Sequence, residues 1–310
     1  LSAMGADMPP SMGGYYMTYA NNNRYDVKGL ELTLSHRNAF NVCSKPFIYQ
    51  INLNISTEKS KWLRYPDSPN AQSWQKTVGT SVGSYSAWIA DGIFKSEDEI
   101  THSAWYGTRP NVGDIKYKDL NGDGVIDSKD EAITARSNRP QITSGLNLSG
   151  SWNGFDCAVL FTGGFKFAVS LLGTYYNGYD DNTIWTQTFK DGANSPLWLV
   201  EKSYSTENPN GTYPRLTLSQ TSHGGDNGLA STFWMRSGDY VRLKSAQIGY
   251  TLPKAWMRST SIQKVRIFLE GSNLFTLDRL PKGVDPESPR VNNGYYPQQK
   301  TYMAGVTMTF

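Results

Sequence analysis

The chain has 310 residues, a net charge of +3 and 18% charged residues, with Lys and Arg scattered along it. No basic stripe and no aromatic-plus-basic RNA motif appears, so nucleic acid is not an expected partner. Mean hydropathy is −0.51, and no apolar run approaches the roughly 20 residues of a membrane helix. That excludes a helical membrane protein but not a transmembrane barrel, whose strands alternate lipid-facing apolar and lumen-facing polar residues.

The opening Leu1-Ser2-Ala3-Met4-Gly5-Ala6-Asp7 has no charged segment followed by an apolar one. No signal peptide is therefore expected, and the chain is either a mature start or a piece of something longer. Cys43 and Cys157 are far apart and in no metal or redox spacing; they read as small hydrophobes or unpaired thiols, with a disulfide left open.

The first predicted strand covers 30–37, with Leu30, Leu32 and Leu34 on one face and Glu31, Thr33, Ser35 and Arg37 on the other. After a short connection, Phe47, Tyr49, Ile51, Leu53 and Ile55 alternate with Ile48, Gln50, Asn52, Asn54 and Ser56. Period two held for about ten residues matches a tilted transmembrane strand. Segment 58–80 then reads as a long loop. Ser96 followed by Glu97, Asp98 and Glu99 reads as a helix start, with Ser at the N-cap and carboxylates in the first turn, rather than as a pair of catalytic acids.

Residues 113–131 contain an acidic loop set between strands, and here spacing dictates chemistry. A twelve-residue EF-hand-type loop takes oxygen ligands at positions 1, 3, 5, 7 (a backbone carbonyl), 9 and 12, with glycine at 6. Counted from Asp119, those positions are Asp119, Asn121, Asp123, Val125, Asp127 and Asp130, and position 6 is Gly124. The expectation is a structural calcium ion. The last ligand is the short Asp130 instead of Glu, and no long amphipathic helix precedes Asp119, so a static site is expected rather than a sensor. The competing reading is an acidic Asp/Asn/Gly turn without metal. A dockerin would need a second copy of the loop, and none is found.

Beyond the loop, Ile142, Leu146, Leu148 and Trp152 share a face opposite Thr143, Asn147, Ser149 and Ser151. Asn153-Gly154 supplies a tight hairpin turn, and Phe155, Cys157, Val159 and Phe161 continue on the return strand. Segment 170–230 reads as a second long loop. Within it, Tyr175–Trp185 combines aromatic rings with amides and carboxylates, a composition shared by sugar platforms and by protein contact surfaces. Three further strands are predicted at Tyr240–Leu252, Lys264–Phe275 and Lys300–Phe310, the last alternating and ending on an aromatic. Short turns at one end and long loops at the other predict an all-β, antiparallel transmembrane barrel segment. Soluble sandwiches are the main competitor, but the strands are long and their apolar faces end in Tyr, Trp and Phe as a membrane girdle would.

Five stretches carry a resemblance: Val82–Ile100, Gly113–Asp130, Asn138-Arg139-Pro140, Tyr213-Pro214-Arg215 and Asp239–Pro253, joined by Asn273-Leu274-Phe275 and the closing strand. Together, and in order over the whole chain, they resemble the C-terminal part of the SusC/RagA family of TonB-dependent outer-membrane transporters of Bacteroidota. The resemblance implies that residues 1–310 are the C-terminal part of a 22-stranded barrel with long extracellular loops, since roughly ten predicted strands cannot close a barrel of that size. It implies an outer-membrane location and a SusD-like surface lipoprotein as lid. TonB would act through an N-terminal region, and the rest of the barrel, its plug and membrane lipid would be neighbours. Oligosaccharide or peptide import would be the function.

Catalytic constellations are missing from the sequence. His36, His102 and His223 stand in no metal or triad spacing, with His36 read on a polar strand edge and the other two in loops. No enzyme is expected. The alternative in a different class is a soluble, calcium-stabilised, β-rich glycan-binding module.

Overall fold

The computed structural model describes residues 2–3, 19–171, 197–216, 227–258, 261–288 and 298–310. A short pair, β1 (Ser2–Ala3) with β2 (Tyr19–Ala20), precedes two long strands, β3 (Arg24–Val42) and β4 (Lys45–Arg64). An excursion from 65 to 141 carries β5 (Ser84–Trp88), β6 (Ala90–Ile93), helix α1 (Glu97–Thr101), β7 (Ile115–Tyr117) and β8 (Glu131–Ser137). Next come β9 (Ile142–Trp152) and β10 (Phe155–Phe165). A second excursion carries β11 (Ala168–Ser170), helix α2 (Leu197–Lys202) and β12 (Met235–Ser237). The chain finishes with β13 (Tyr240–Thr251), β14 (Lys264–Leu277) and β15 (Thr301–Thr309).

One seven-stranded antiparallel sheet, in the order β15-β14-β13-β10-β9-β4-β3, dominates the molecule. Against the expected count of roughly ten strands, the described residues hold seven in this sheet and eight short ones that pair only in twos. Register carries one apolar row across the wall. Ile51 faces Leu148, Leu148 faces Val159, and Val159 faces Ala246. Near the short turns, Phe47 faces Trp152, Trp152 faces Phe155, and Phe155 faces Tyr250. The rings of Phe155 and Tyr250 lie 4.5 Å apart and those of Phe40 and Phe47 5.3 Å apart. That aromatic band is the girdle the sequence predicts.

The other face is polar. Asn52 lies opposite Asn147, Thr33 donates to Asn54 at 3.0 Å, and Arg266 is paired with Asp156. Apolar residues of the first face stay uncovered: Leu30 is 68% exposed, Leu269 59% and Phe310 74%. An apolar surface spread over seven strands is untenable in water and is what hydrocarbon requires. The sheet is therefore transmembrane barrel wall, and a soluble module would have to cover this face.

The turns sort by length. Cys43-Ser44 joins β3 to β4 with both residues at positive φ (50° and 62°), and Asn153-Gly154 joins β9 to β10 at 50° and 87°. Such left-handed pairs match strand twist in two-residue hairpins. All the long excursions leave from the opposite end. There β6 pairs with β7, β5 with β8, and β11 with β12. Their buried residues make a conventional core of Ile115, Tyr117, Ile126, Leu171, Leu199, Tyr213 and Trp234. This loop module sits at the long-loop end of the wall and draws on both excursions.

Candidate functional site

The acidic loop is part of that module. Ile115 and Tyr117 of β7 bury before it, and Ile126, 1% exposed, plugs the loop into the core from within. Asp119 accepts hydrogen bonds from the amides of Gly122 (2.6 Å) and Gly124 (2.8 Å). Both glycines take the positive φ that this turn demands, 73° and 83°. Asn121 Oδ1 accepts from the Asp123 amide at 3.0 Å, and Asp123 Oδ1 accepts from the Val125 amide at 3.0 Å. Val125 exposes its side chain, in keeping with a position that offers only its carbonyl.

Asp127 and Asp130 form a reciprocal cap. Asp127 Oδ1 accepts from the Lys129 amide at 2.7 Å, and the Asp127 amide donates to Asp130 Oδ2 at 2.9 Å. Asp130 is fully buried, and its Oδ1 also accepts from Leu120 at 2.8 Å and Asn121 at 3.3 Å. It therefore closes the loop through main-chain amides at both ends. The Lys129 ammonium lies 3.3 Å from Asp127 and 3.5 Å from Asp123. The hydrogen bond from Asn121, the Val125 amide and the Lys129 charge hold the Asp123 carboxyl below its usual range. Pairing with Asp127 and then Asp123 raises Lys129. Among the described residues, no three His, Cys, Asp or Glu side chains stand together at metal-ligand spacing.

Three side chains clasp the loop from outside. Trp74 Nε1 donates to the Lys129 carbonyl (2.8 Å), Gln75 Nε2 to Ser128 (2.7 Å) and Trp88 Nε1 to Asp127 (3.0 Å). Segment 72–76, read as loop from the sequence, is thus a clamp on the acidic turn.

Helix α1 begins as predicted, with Ser96 Oγ accepting from the Glu99 amide at 3.2 Å. Its acids serve structure. Glu99 meets Lys116 at 2.6 Å and accepts from the Lys95 amide, which lowers its pKa, while Glu97 meets Arg109 at 2.8 Å. His102 lies on the Asp98 carbonyl at 2.9 Å. His36, expected on a polar edge, instead shares the apolar face with Leu34 and contacts Tyr49 Oη at 2.9 Å, because even-numbered positions of β3 all face that way. His223 and Tyr175–Trp185 lie outside the described residues. Both cysteines are free.

Two charged clusters escaped sequence reasoning. Asp114, fully buried, accepts from Arg215 Nε (2.7 Å), Asn227 Nδ2 (2.9 Å) and the Asn111 amide (2.8 Å), so it stitches the two excursions together. Burial pushes its carboxyl above the usual range, against the pull of those partners. Arg242 on the polar wall meets Asp285 at 2.5 Å and Glu287 at 3.0 Å. Arg215 and Arg242 both stand inside stretches that carry the family resemblance, which was the available signal; their partners are 101 and 43 to 45 residues away.

No protein-family model matches the chain. It is 25% identical to TonB-dependent receptor P3 of Formosa agariphila, over 97% of this chain and 30% of that protein. TonB-dependent receptor P26 of the same organism is also 25% identical, over 97% and 31%. Among solved structures, the RagAB peptide importer in its open-open state aligns with a TM-score of 0.68 at 18% identity, over 99% of this chain and 31% of that one. A structure of the RagAB peptide transporter aligns at 0.65 and 20%, over 99% and 32%. The chain thus spans under a third of each protein. Its two-faced wall with excursions at one end shares the fold of these barrels, and over nearly its whole length the chain is similar to part of TonB-dependent receptors.

Proposed function

We propose that this chain supplies wall and long-loop end to an outer-membrane importer of nutrients, with no catalytic step of its own. The observation that carries the reading is the sheet with a lipid face and a polar face whose excursions all leave from one end. In the whole protein that end faces outward and meets a SusD-like surface lipoprotein acting as lid, and the polar face lines the path of an oligosaccharide or peptide. TonB supplies the energy through the N-terminal region and plug. The test is made on the full-length protein in its native outer membrane. It should need detergent for extraction, migrate faster on gels before heating than after, copurify with a surface lipoprotein, and lose uptake of labelled oligosaccharides or peptides on gene deletion. Purification without detergent, with glycan binding by the isolated chain, would replace this reading with the soluble module.

The acidic loop supports a second reading, a structural calcium ion held by Asp119, Asn121, Asp123, the Val125 carbonyl, Asp127 and Asp130. All donors are oxygens, as the ion prefers; on entering, the ion would displace the Lys129 ammonium that lies between Asp123 and Asp127. The ion would supply charge neutralisation within the turn. Replacing Asp119 and Asp123 by Ala should abolish calcium in metal analysis of the purified full-length protein and open residues 113–131 to protease, while the barrel stays heat-modifiable. Undiminished calcium in that double variant would sink the assignment.

A further inference from the structure

We infer that Asp285-Pro286-Glu287 is a strap hooked onto the polar wall by Arg242, and that it limits the size of molecule admitted to the cavity beside it. The inference rests on the import reading only for its physiological meaning. Arg242 sits near the long-loop end of β13, between Thr162 on β10 and Thr276 on β14, on the face opposite the lipid. An arginine there should be wetted by the lumen, yet its side chain is only 1% exposed. The cover is Asp285 and Glu287, in the connection that follows β14.

The hook engages all three guanidinium nitrogens. Nη2 meets Asp285, Nη1 meets Glu287, and Nε donates to Thr276 Oγ1 at 2.9 Å. Lys244 adds a second contact to Glu287 at 3.3 Å, so two cations of the wall match two anions of the strap. A planar fork satisfied on each edge fixes orientation as well as distance. The strap is also shaped beforehand: the Glu287 amide donates to Asp285 Oδ1 at 2.8 Å, the Ser288 amide to the Asp285 carbonyl at 3.2 Å, and Pro286 is buried.

Its other end is tied to the loop module. Val284 packs against the Trp234 core, and Trp198 Nε1 donates to the Lys282 carbonyl at 3.1 Å. Beside the strap lies a cavity of about 600 Å³, within the range of ligand sites, bounded by Pro286, Glu287 and Ser288 on one side and by Tyr85, Phe167 and Tyr240 on others. Releasing Arg242 leaves Asp285 without a cation and Glu287 with Lys244, Tyr240 and Gln298 alone, so the strap should loosen from the wall and widen the cavity mouth.

The test uses the full-length transporter in a cysteine-free background carrying Tyr85→Cys as reporter in the cavity. With Arg242 in place, a small maleimide should label the reporter and a polyethylene-glycol maleimide should be excluded. Arg242→Met should abolish that size exclusion, with the large-to-small labelling ratio rising toward unity; Arg242→Lys, which keeps charge without the fork, should fall between. The double variant Asp285→Asn, Glu287→Gln unhooks the strap without touching the wall and should reproduce the effect even if Arg242→Met fails to fold. An unchanged ratio in folded, heat-modifiable variants overturns the proposal. A wild-type transporter that takes up neither oligosaccharide nor peptide would sink the import reading while leaving the labelling result intact.

Discussion

Leu269 of the wall is 59% exposed, whereas Trp234 of the loop module is fully buried, and both sit where their surroundings want them. The wall turns its large apolar side chains outward because its neighbour is hydrocarbon. Its inward face spends amides, hydroxyls and ion pairs instead. The module turns the same residue types inward, around short strands that could not stand alone, because it projects into water. One chain therefore carries two solvents' rules, and the boundary falls where the long strands end.

Four effects probe that boundary, starting with the largest. Trp234→Ala should destabilise the module by about 3–5 kcal/mol, seen as proteolysis in 65–141 and 227–239 while the wall keeps its heat-modifiable migration; simultaneous loss of both would mean that the two regions fold as one. Leu269→Arg should cost the wall about 2–4 kcal/mol in denaturant unfolding from bilayers, whereas Asn52→Arg on the polar face should change little. Equal costs for the two would erase the distinction between faces. Ser96→Ala removes the cap of α1 and should lower module stability by about 1 kcal/mol, read from thermal unfolding, with no effect on the wall.

The fourth effect is smaller and has a sign. Burial raises the Asp114 carboxyl above its unfolded value, so the native state binds that proton more tightly than the unfolded chain does. The resulting stability is full below the ordinary Asp range and fades as pH rises through the raised value. Module stability should therefore improve on mild acidification from neutrality by a component that Asp114→Asn abolishes, measured as protease resistance against pH. An identical profile in the variant would show that Asp114 does not titrate as its burial implies.

The wall was largely legible in the sequence because period two is a local signal: β9, β13, β14 and β15 fall within a residue or two of expectation. Asn153-Gly154 announced its turn, while Cys43-Ser44 did not, since neither residue ordinarily favours positive φ. Residues 58–64 were assigned to loop although they complete β4. Glu58, Lys59, Ser60 and Lys61 belong to a strand's end where the apolar alternation lapses. The module was hardly legible, because strands of three to seven residues leave little periodicity and its joints, such as Asp114 to Arg215, join distant segments. In the acidic loop, spacing could not reveal that Asp130 would engage three main-chain amides.

The indoles of Trp74 and Trp88, each donating to the main chain of the acidic loop, have a use beyond holding it. Indole emission responds to loss of a hydrogen bond and to entry of water, so the loop carries its own optical probes at two of its joints with the rest of the module. Comparing Trp74→Phe with Trp88→Phe would assign the signal to one clasp or the other, and the state of the turn could then be followed in intact membranes without attaching any label.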